Sequence, residues 1–232
     1  STSRNTIAKN ANKKIATKMF EQIEKLAETE KKHADSFRVK NYMFFISSMQ
    51  NNADMVHDQM IQLAQDRLNK NMDDYIKWMI DWKFEDLFTY FSSLENTLQT
   101  VDVEDIVYQT QYSKRKLKDL VQKYCNVAVH VNMDQNNTAQ FSDFQQKITD
   151  IYKRMDKHLG VKCEANSSYK IGDEFMASVH ALVWAHLRQH FIKRFKDMHT
   201  LVNKCYKDTN IIFVPSVSMV ETLFNRVEED KP

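Results

Sequence analysis

The chain has 232 residues, enough for one large domain or two small ones around a real hydrophobic core. Only 2 Gly and 2 Pro occur beside 42% hydrophobic and 28% charged residues, which excludes turn-rich strand proteins, α/β enzymes and disordered tails and predicts an all-α class. Lys and Arg total 33 against 31 Asp and Glu, and the formal charge of +2 falls short of the surplus that a nucleic-acid binder carries.

No uninterrupted apolar run approaches the roughly 18 residues that a membrane-spanning helix needs. The opening STSRNTIAKNANKK has basic residues without an apolar stretch and does not read as a signal peptide. It begins without Met and reads as part of something longer. Cys125, Cys163 and Cys205 are odd in number, far apart and in no metal-like spacing, which predicts a reducing, cytosolic location.

Over residues 6–32, Ile15, Met19, Ile23 and Leu26 recur at helical spacing and predict an amphipathic first helix whose solvent face carries Glu21, Glu24, Lys25, Glu28, Glu30 and Lys31. Residues 34–70 repeat the period through Tyr42, Phe45, Met49, Val56, Met60 and Leu63, as one long helix with an interruption near Asn51 and Asn52. A further helix over 73–98 is predicted from Tyr75, Met79, Trp82, Leu87, Phe91, Leu94 and Leu98, with its aromatics in a bundle core. The pattern loosens at residues 99–111, where a boundary is expected between an N-terminal bundle, 1–104, and a C-terminal bundle, 105–232.

Ser113 is a suitable N-cap for a short helix over 114–124, with Leu117, Leu120 and Val121 on its apolar side. Residues 126–137 hold a β-prone scrap, VAVHV, followed by turn residues. Phe141, Phe144, Ile148, Ile151, Met155 and Leu159 then step by three and four residues, with Thr138 or Ser142 as cap and Gly160 as a left-handed stop. After a polar loop at 161–170 comes a long apolar stretch free of Gly and Pro, residues 174–206, which predicts one helix. There Trp184, Leu187, Phe191, Arg194, Met198, Leu201 and Cys205 form one seam. Pro215 forbids helix through the next connector, and Ser218 with Glu221 reads as a capping box for a last helix carrying Met219, Val220, Leu223, Phe224 and Val227.

Few residues suggest chemistry. His186 and His190 share a helix face, yet the intervening LRQ lacks the Glu of a zinc protease, so a structural role is the expectation. Glu30 with His33 and Asp54 with His57 imitate the carboxylate-histidine pairs of di-iron bundles, although Glu30 stands in a run of charges that points to water. Two glycines, Gly160 and Gly172, cannot build a phosphate-cradling loop, so no enzyme, cofactor or metal is expected. Basic clusters at Lys114, Arg115, Lys116 and Lys118, and at Arg188, Lys193, Arg194 and Lys196, read first as solvated helix surface. Their alternative is contact with acidic partners or anionic lipid, carried by Lys114, Arg115, Lys118, Arg188, Lys193 and Lys196. Arg194 interrupts the apolar seam and is expected to snorkel or to pair with a carboxylate. The 12 Met residues read mainly as core filler, Met19, Met49, Met79 and Met155 among them.

Three segments carry a resemblance when taken in order: FEDLFTYFSSLENTL with VEDIVYQTQYSKRKLKDLVQKY at 84–124, IYKRMDKHL at 151–159, and LVWAHLRQHFIKRFKDMHTLVNKCY at 182–206. Together the chain resembles the C-terminal region of the exocyst complex component 1 family. The resemblance implies a rod of stacked antiparallel helical bundles, of the kind shared by multisubunit tethering complexes. It also implies a non-enzymatic role in holding secretory vesicles at the plasma membrane before SNARE-mediated fusion. The partners implied are other exocyst subunits, with small GTPases and SNARE proteins beyond them, at a cytoplasmic site recruited to the plasma membrane. The family's lipid-binding PH-like domain and coiled-coil arm are not visible in this sequence, so their activities are expected to lie outside it.

Overall fold

The computed structural model describes residues 2–30, 33–50, 58–124, 141–159, 173–207 and 215–229. They are helical with no strand among them: α1 (Thr2–Thr29), α2 (Ala34–Gln50), α3 (Asp58–Thr97), α4 (Lys114–Tyr124), α5 (Ser142–Leu159), α6 (Asp173–Cys205) and α7 (Val217–Glu229). Residues 99–111, where the helical period fades, form turns and two short 3-10 helices, Ile106–Tyr108 and Thr110–Tyr112. The VAVHV stretch, Thr138, Gly160, the 161–170 loop and the interruption at Asn51 and Asn52 lie outside the described residues.

Several local signals act as expected. Ser113 Oγ accepts from the Lys116 amide at 3.4 Å and opens α4. Every apolar position predicted on α5, from Phe141 to Leu159, is buried. Other signals are corrected. The helix pattern does not stop before residue 73: α3 runs through, because Asn71 turns its amide back onto the Arg67 carbonyl at 2.6 Å and Met72 is buried. The cap of α7 is Ser216, whose Oγ accepts from the Met219 amide at 3.3 Å, and not Ser218; Glu221 instead faces Lys196 at 3.5 Å.

The chain divides into two compact units, each drawn from two stretches. The boundary expected after residue 104 falls within the second of them. Unit one comprises residues 1–78 and 155–183. Its core is filled by Phe20, Ile23 and Ala27 of α1, Val39, Tyr42 and Phe45 of α2, Leu68, Met72 and Tyr75 of α3, Met155 and Leu159 of α5, and Val179 and Val183 of α6. Edge-on ring contacts from Phe20 to Tyr42 at 5.4 Å and to Phe45 at 4.9 Å lock α1 onto α2. The apolar residues of α1 are not all interior. Ile15, Met19 and Leu26, expected in the core, are 57%, 41% and 50% exposed, because the small Ala16 and Ala27 let Phe20 and Ile23 set the buried face. Leu63 on α3 is exposed as well.

Unit two comprises residues 79–154 and 184–232 and is organised around aromatic rings. Phe191 of α6 meets Phe84 at 5.0 Å, Phe88 at 5.3 Å, Phe224 at 5.4 Å, Phe195 at 6.0 Å and Phe144 at 6.1 Å, which ties α3, α5, α6 and α7 together. Tyr124 stacks on Phe84 at 5.6 Å and adds α4. Phe84 itself leaves helical geometry, with φ −130° and ψ 19°, so α3 kinks at the residue whose ring the cluster grips. A hydroxyl chain closes the far end: Tyr90 and Tyr206 hydroxyls lie 2.8 Å apart, and Tyr206 donates to the Tyr112 carbonyl at 2.7 Å. Burial first, then Tyr206, pushes the Tyr90 phenol above its ordinary range. Trp82, expected in the core, is 45% exposed instead.

Candidate interaction surface

Helix α4 presents its polar side because Leu117, Val121 and Tyr124 recur every three or four residues and are buried. That periodicity leaves Lys114, Arg115, Lys116 and Lys118 exposed. Lys116 turns into a groove that also holds Glu85 and Asp86 of α3 and Asp119 and Lys123 of α4. Lys123 pairs with Asp86, which holds the ammonium above its ordinary pKa. The outer cations Lys114, Arg115 and Lys118 meet no carboxylate among the described residues.

The second basic cluster is used differently. Arg188 lies 3.6 Å from Glu228 and Lys196 lies 3.5 Å from Glu221, so both reach from α6 to α7. The Trp184 indole N–H also donates to Glu228 at 2.8 Å. These two cations therefore help to dock α7, while Lys193 remains exposed. Arg194 pairs with no carboxylate among the described residues. Its guanidinium lies over the Phe88 ring at 4.5 Å and donates to Ser92 Oγ at 2.6 Å, so a ring face and a hydroxyl receive the charge that interrupts the seam.

A second ring–cation arrangement was missed by periodicity alone. Trp82 takes the Arg154 guanidinium at 4.2 Å and the Lys83 ammonium at 4.1 Å from its centroid. Lys83 also donates to Asp150 at 2.7 Å. Burial alone raises the Asp150 pKa, but the bonds from Lys83 and Gln146 outweigh it and hold the carboxyl below its ordinary value. Trp82 gave no local sign of exposure, since its spacing matches that of buried neighbours.

Glu24 is corrected from solvent face to helix junction. Tyr42 donates to it at 2.6 Å and Arg38 at 2.7 Å, and Arg67 of α3 stands 3.5 Å away while donating to the Tyr42 hydroxyl at 2.9 Å. Burial again raises the Glu24 carboxyl, yet those two hydrogen bonds and the guanidinium charges lower it further. Tyr42, by burial first and then by its bond to Glu24, is pushed up to about 12. The sequence signal was present: a Glu at the edge of the buried stripe, opposite an Arg and a Tyr in register on the next helix.

For the metal alternatives, Asp54 and His57 lie outside the described residues. Glu30 is exposed, and the His33 ring packs 4.5 Å from His158. His186 is exposed and His190 half-buried on α6. Among the described residues no group of three His, Cys, Asp or Glu side chains is placed to hold a metal ion. No helix among them is long and apolar enough to cross a membrane.

The family described as exocyst complex component Sec3, C-terminal, matches residues 1–208. Exocyst complex component 1 of Dictyostelium discoideum is 23% identical over 223 residues, 95% of this chain and 22% of the relative. Exocyst complex component SEC3A of Arabidopsis thaliana is 22% identical, and exocyst complex component 1 of Mus musculus 20%, each over 200 residues, 85% of this chain and 19% of the relative. The chain thus spans about a fifth of the length of these relatives. No solved structure matches it.

Proposed function

Because the chain belongs to the exocyst complex component Sec3 C-terminal family, we propose that it acts as the corresponding region of an exocyst subunit, through protein contacts and without catalysis. The observation that carries the reading is the family match over residues 1–208, which takes in the first helical unit and all of the second up to residue 208, leaving out α7. In this reading the helical units offer surfaces to other exocyst subunits, and the assembled complex holds secretory vesicles at the plasma membrane before SNARE-mediated fusion. The protein works from the cytoplasm and reaches the plasma membrane with the complex; small GTPases and SNARE proteins are further partners. The test is affinity isolation of the full-length protein carrying this region, with and without residues 1–208. Co-isolation of the other exocyst subunits and normal release of a secreted reporter are expected only when the region is present. Equal recovery and equal secretion in its absence refute the proposal.

A second reading rests on the exposed cations Lys114, Arg115 and Lys118 of α4, with Lys193 of α6. At an anionic lipid surface each contributes about 1 kcal/mol. Vesicles rich in phosphatidylserine then sediment the chain at low salt and release it as salt rises. Failure to sediment at low salt eliminates this reading.

A further inference from the structure

The first helix carries two apolar stripes where a surface helix needs one. Ala16, Phe20, Ile23 and Ala27 form the stripe buried against α2 and α3. Ile15, Met19 and Leu26 form the other, at helical spacings of four and seven residues, and about half of each side chain's surface is open. They make one wall of a groove whose opposite wall is Phe37, Asn41 and Phe44 of α2, with Phe44 42% exposed. From Ile15 to Leu26 the groove follows about three helical turns, the length over which another helix docks by its own a and d positions.

Charge points to the occupant. Residues 1–20 contain Arg4, Lys9, Lys13, Lys14 and Lys18 and no acidic residue. A cationic first half is unfavourable for a helix whose N-terminus already carries the positive end of the backbone dipole, and α1 has no acidic residue in its first turn. Lys14 and Lys18 line the groove itself, and Lys25 continues their row by helical spacing. Lys18 is partly neutralised by Glu21 at 2.6 Å, whereas Lys14 meets no carboxylate among the described residues. A negatively charged helix edge laid along this row relieves the like-charge repulsion. A groove between two helices receives a cylinder better than a flat bilayer, which separates a helix from a lipid surface as occupant.

We infer that the α1–α2 groove is a docking site for an amphipathic helix of a partner protein, apolar on its inner face and acidic along the edge that meets Lys14, Lys18 and Lys25. It rests on the exocyst reading only for the identity of the partner. Peptide binding without co-isolation of exocyst subunits sinks that reading and leaves this one standing. The probe is a fluorescent helical peptide of about three heptads with Leu at a and d and Glu at e and g, compared with the same peptide carrying Lys at e and g. Anisotropy titration against the 232-residue chain is expected to show the Glu peptide binding at least about tenfold tighter, with affinity falling as salt rises. Met19→Asp with Leu26→Asp abolishes binding, and Lys14→Glu with Lys18→Glu reverses the preference to the Lys peptide, each with unchanged circular dichroism. No binding, equal binding of the two peptides, or a charge swap without reversal overturns the proposal. So does sedimentation with phosphatidylserine vesicles that Met19→Asp abolishes, which assigns the stripe to membrane. Concentration-dependent dimerisation abolished by the same substitution overturns it too, in favour of a second copy of the chain.

Discussion

Replacing Phe191 by Ala removes the ring on which the second unit converges. Its side chain has no solvent exposure, and five other rings lie within 6.1 Å, contributed by α3, α5, α6 and α7. A buried Phe→Ala change costs about 3–5 kcal/mol from lost transfer energy plus the cavity left behind. Aromatic pairs add about 0.5–1.5 kcal/mol each beyond their buried area, and the surrounding rings are themselves fully buried, which limits collapse into the space. The expected loss is therefore at the upper end, about 4–5 kcal/mol, which for a chain of this size lowers Tm by about 8–20 °C. Urea titration followed by circular dichroism, with the slope unchanged, measures it. Tyr108→Ala, at a ring 84% exposed, serves as the control and is expected to stay within about 0.5 kcal/mol. A Phe191→Ala loss below about 1.5 kcal/mol refutes the reasoning, because a ring so enclosed cannot be removed that cheaply.

Glu24 has a folded pKa below its ordinary value of 4.5, so the stabilisation it provides is complete above that pH and is lost as pH falls through the lowered value. Glu24→Gln is expected to cost about 1 kcal/mol at pH 7, discounted for the third of the side chain that is exposed, and to flatten the stability profile below pH 4.5. A profile identical to that of the wild type refutes its role at the junction. Tyr206→Phe strips the hydroxyl that serves both the Tyr112 carbonyl and the Tyr90 hydroxyl, and is expected to cost about 1–3 kcal/mol in chemical denaturation. Trp184→Phe keeps an aromatic ring but removes the indole N–H bonded to Glu228 together with part of the buried ring system, so a loss of at least about 1.5–3 kcal/mol is expected by thermal unfolding, and no loss denies that the bond docks α7.

The all-α class was legible from two glycines and two prolines, and α5 from its period alone, since all six predicted apolar positions are buried. What periodicity cannot give is the identity of the neighbour. Ile15, Met19 and Leu26 obey the same spacing as Ala16, Phe20, Ile23 and Ala27, and only the packing of α2 and α3 decides which set is interior. Trp82 is misplaced for the same reason. Side-chain chemistry was harder still. Arg188 and Lys196 read as open surface because Glu221 and Glu228, which receive them, lie more than 20 residues further along the chain. Arg194 was expected to snorkel or to pair with a carboxylate, whereas the face of Phe88 and the hydroxyl of Ser92 accept it. The gap expected between helices at residues 71–72 is absent, since the Asn71 amide satisfies a carbonyl within the continuous helix.

Interleaving of the two units also sets a timetable for synthesis. Unit one needs residues 155–183 to cover a core begun by residues 1–78, so α1 to α3 leave the ribosome before the segments that seal them have been made. At about 5–20 residues per second, Tyr75 and Met72 wait on the order of 5–20 s for Val179 and Val183 to arrive. During that interval the nascent chain shows apolar surface that the finished protein hides. A stop codon placed anywhere before residue 183 makes that exposure permanent, and the product becomes a substrate for chaperones and proteases rather than a smaller working protein.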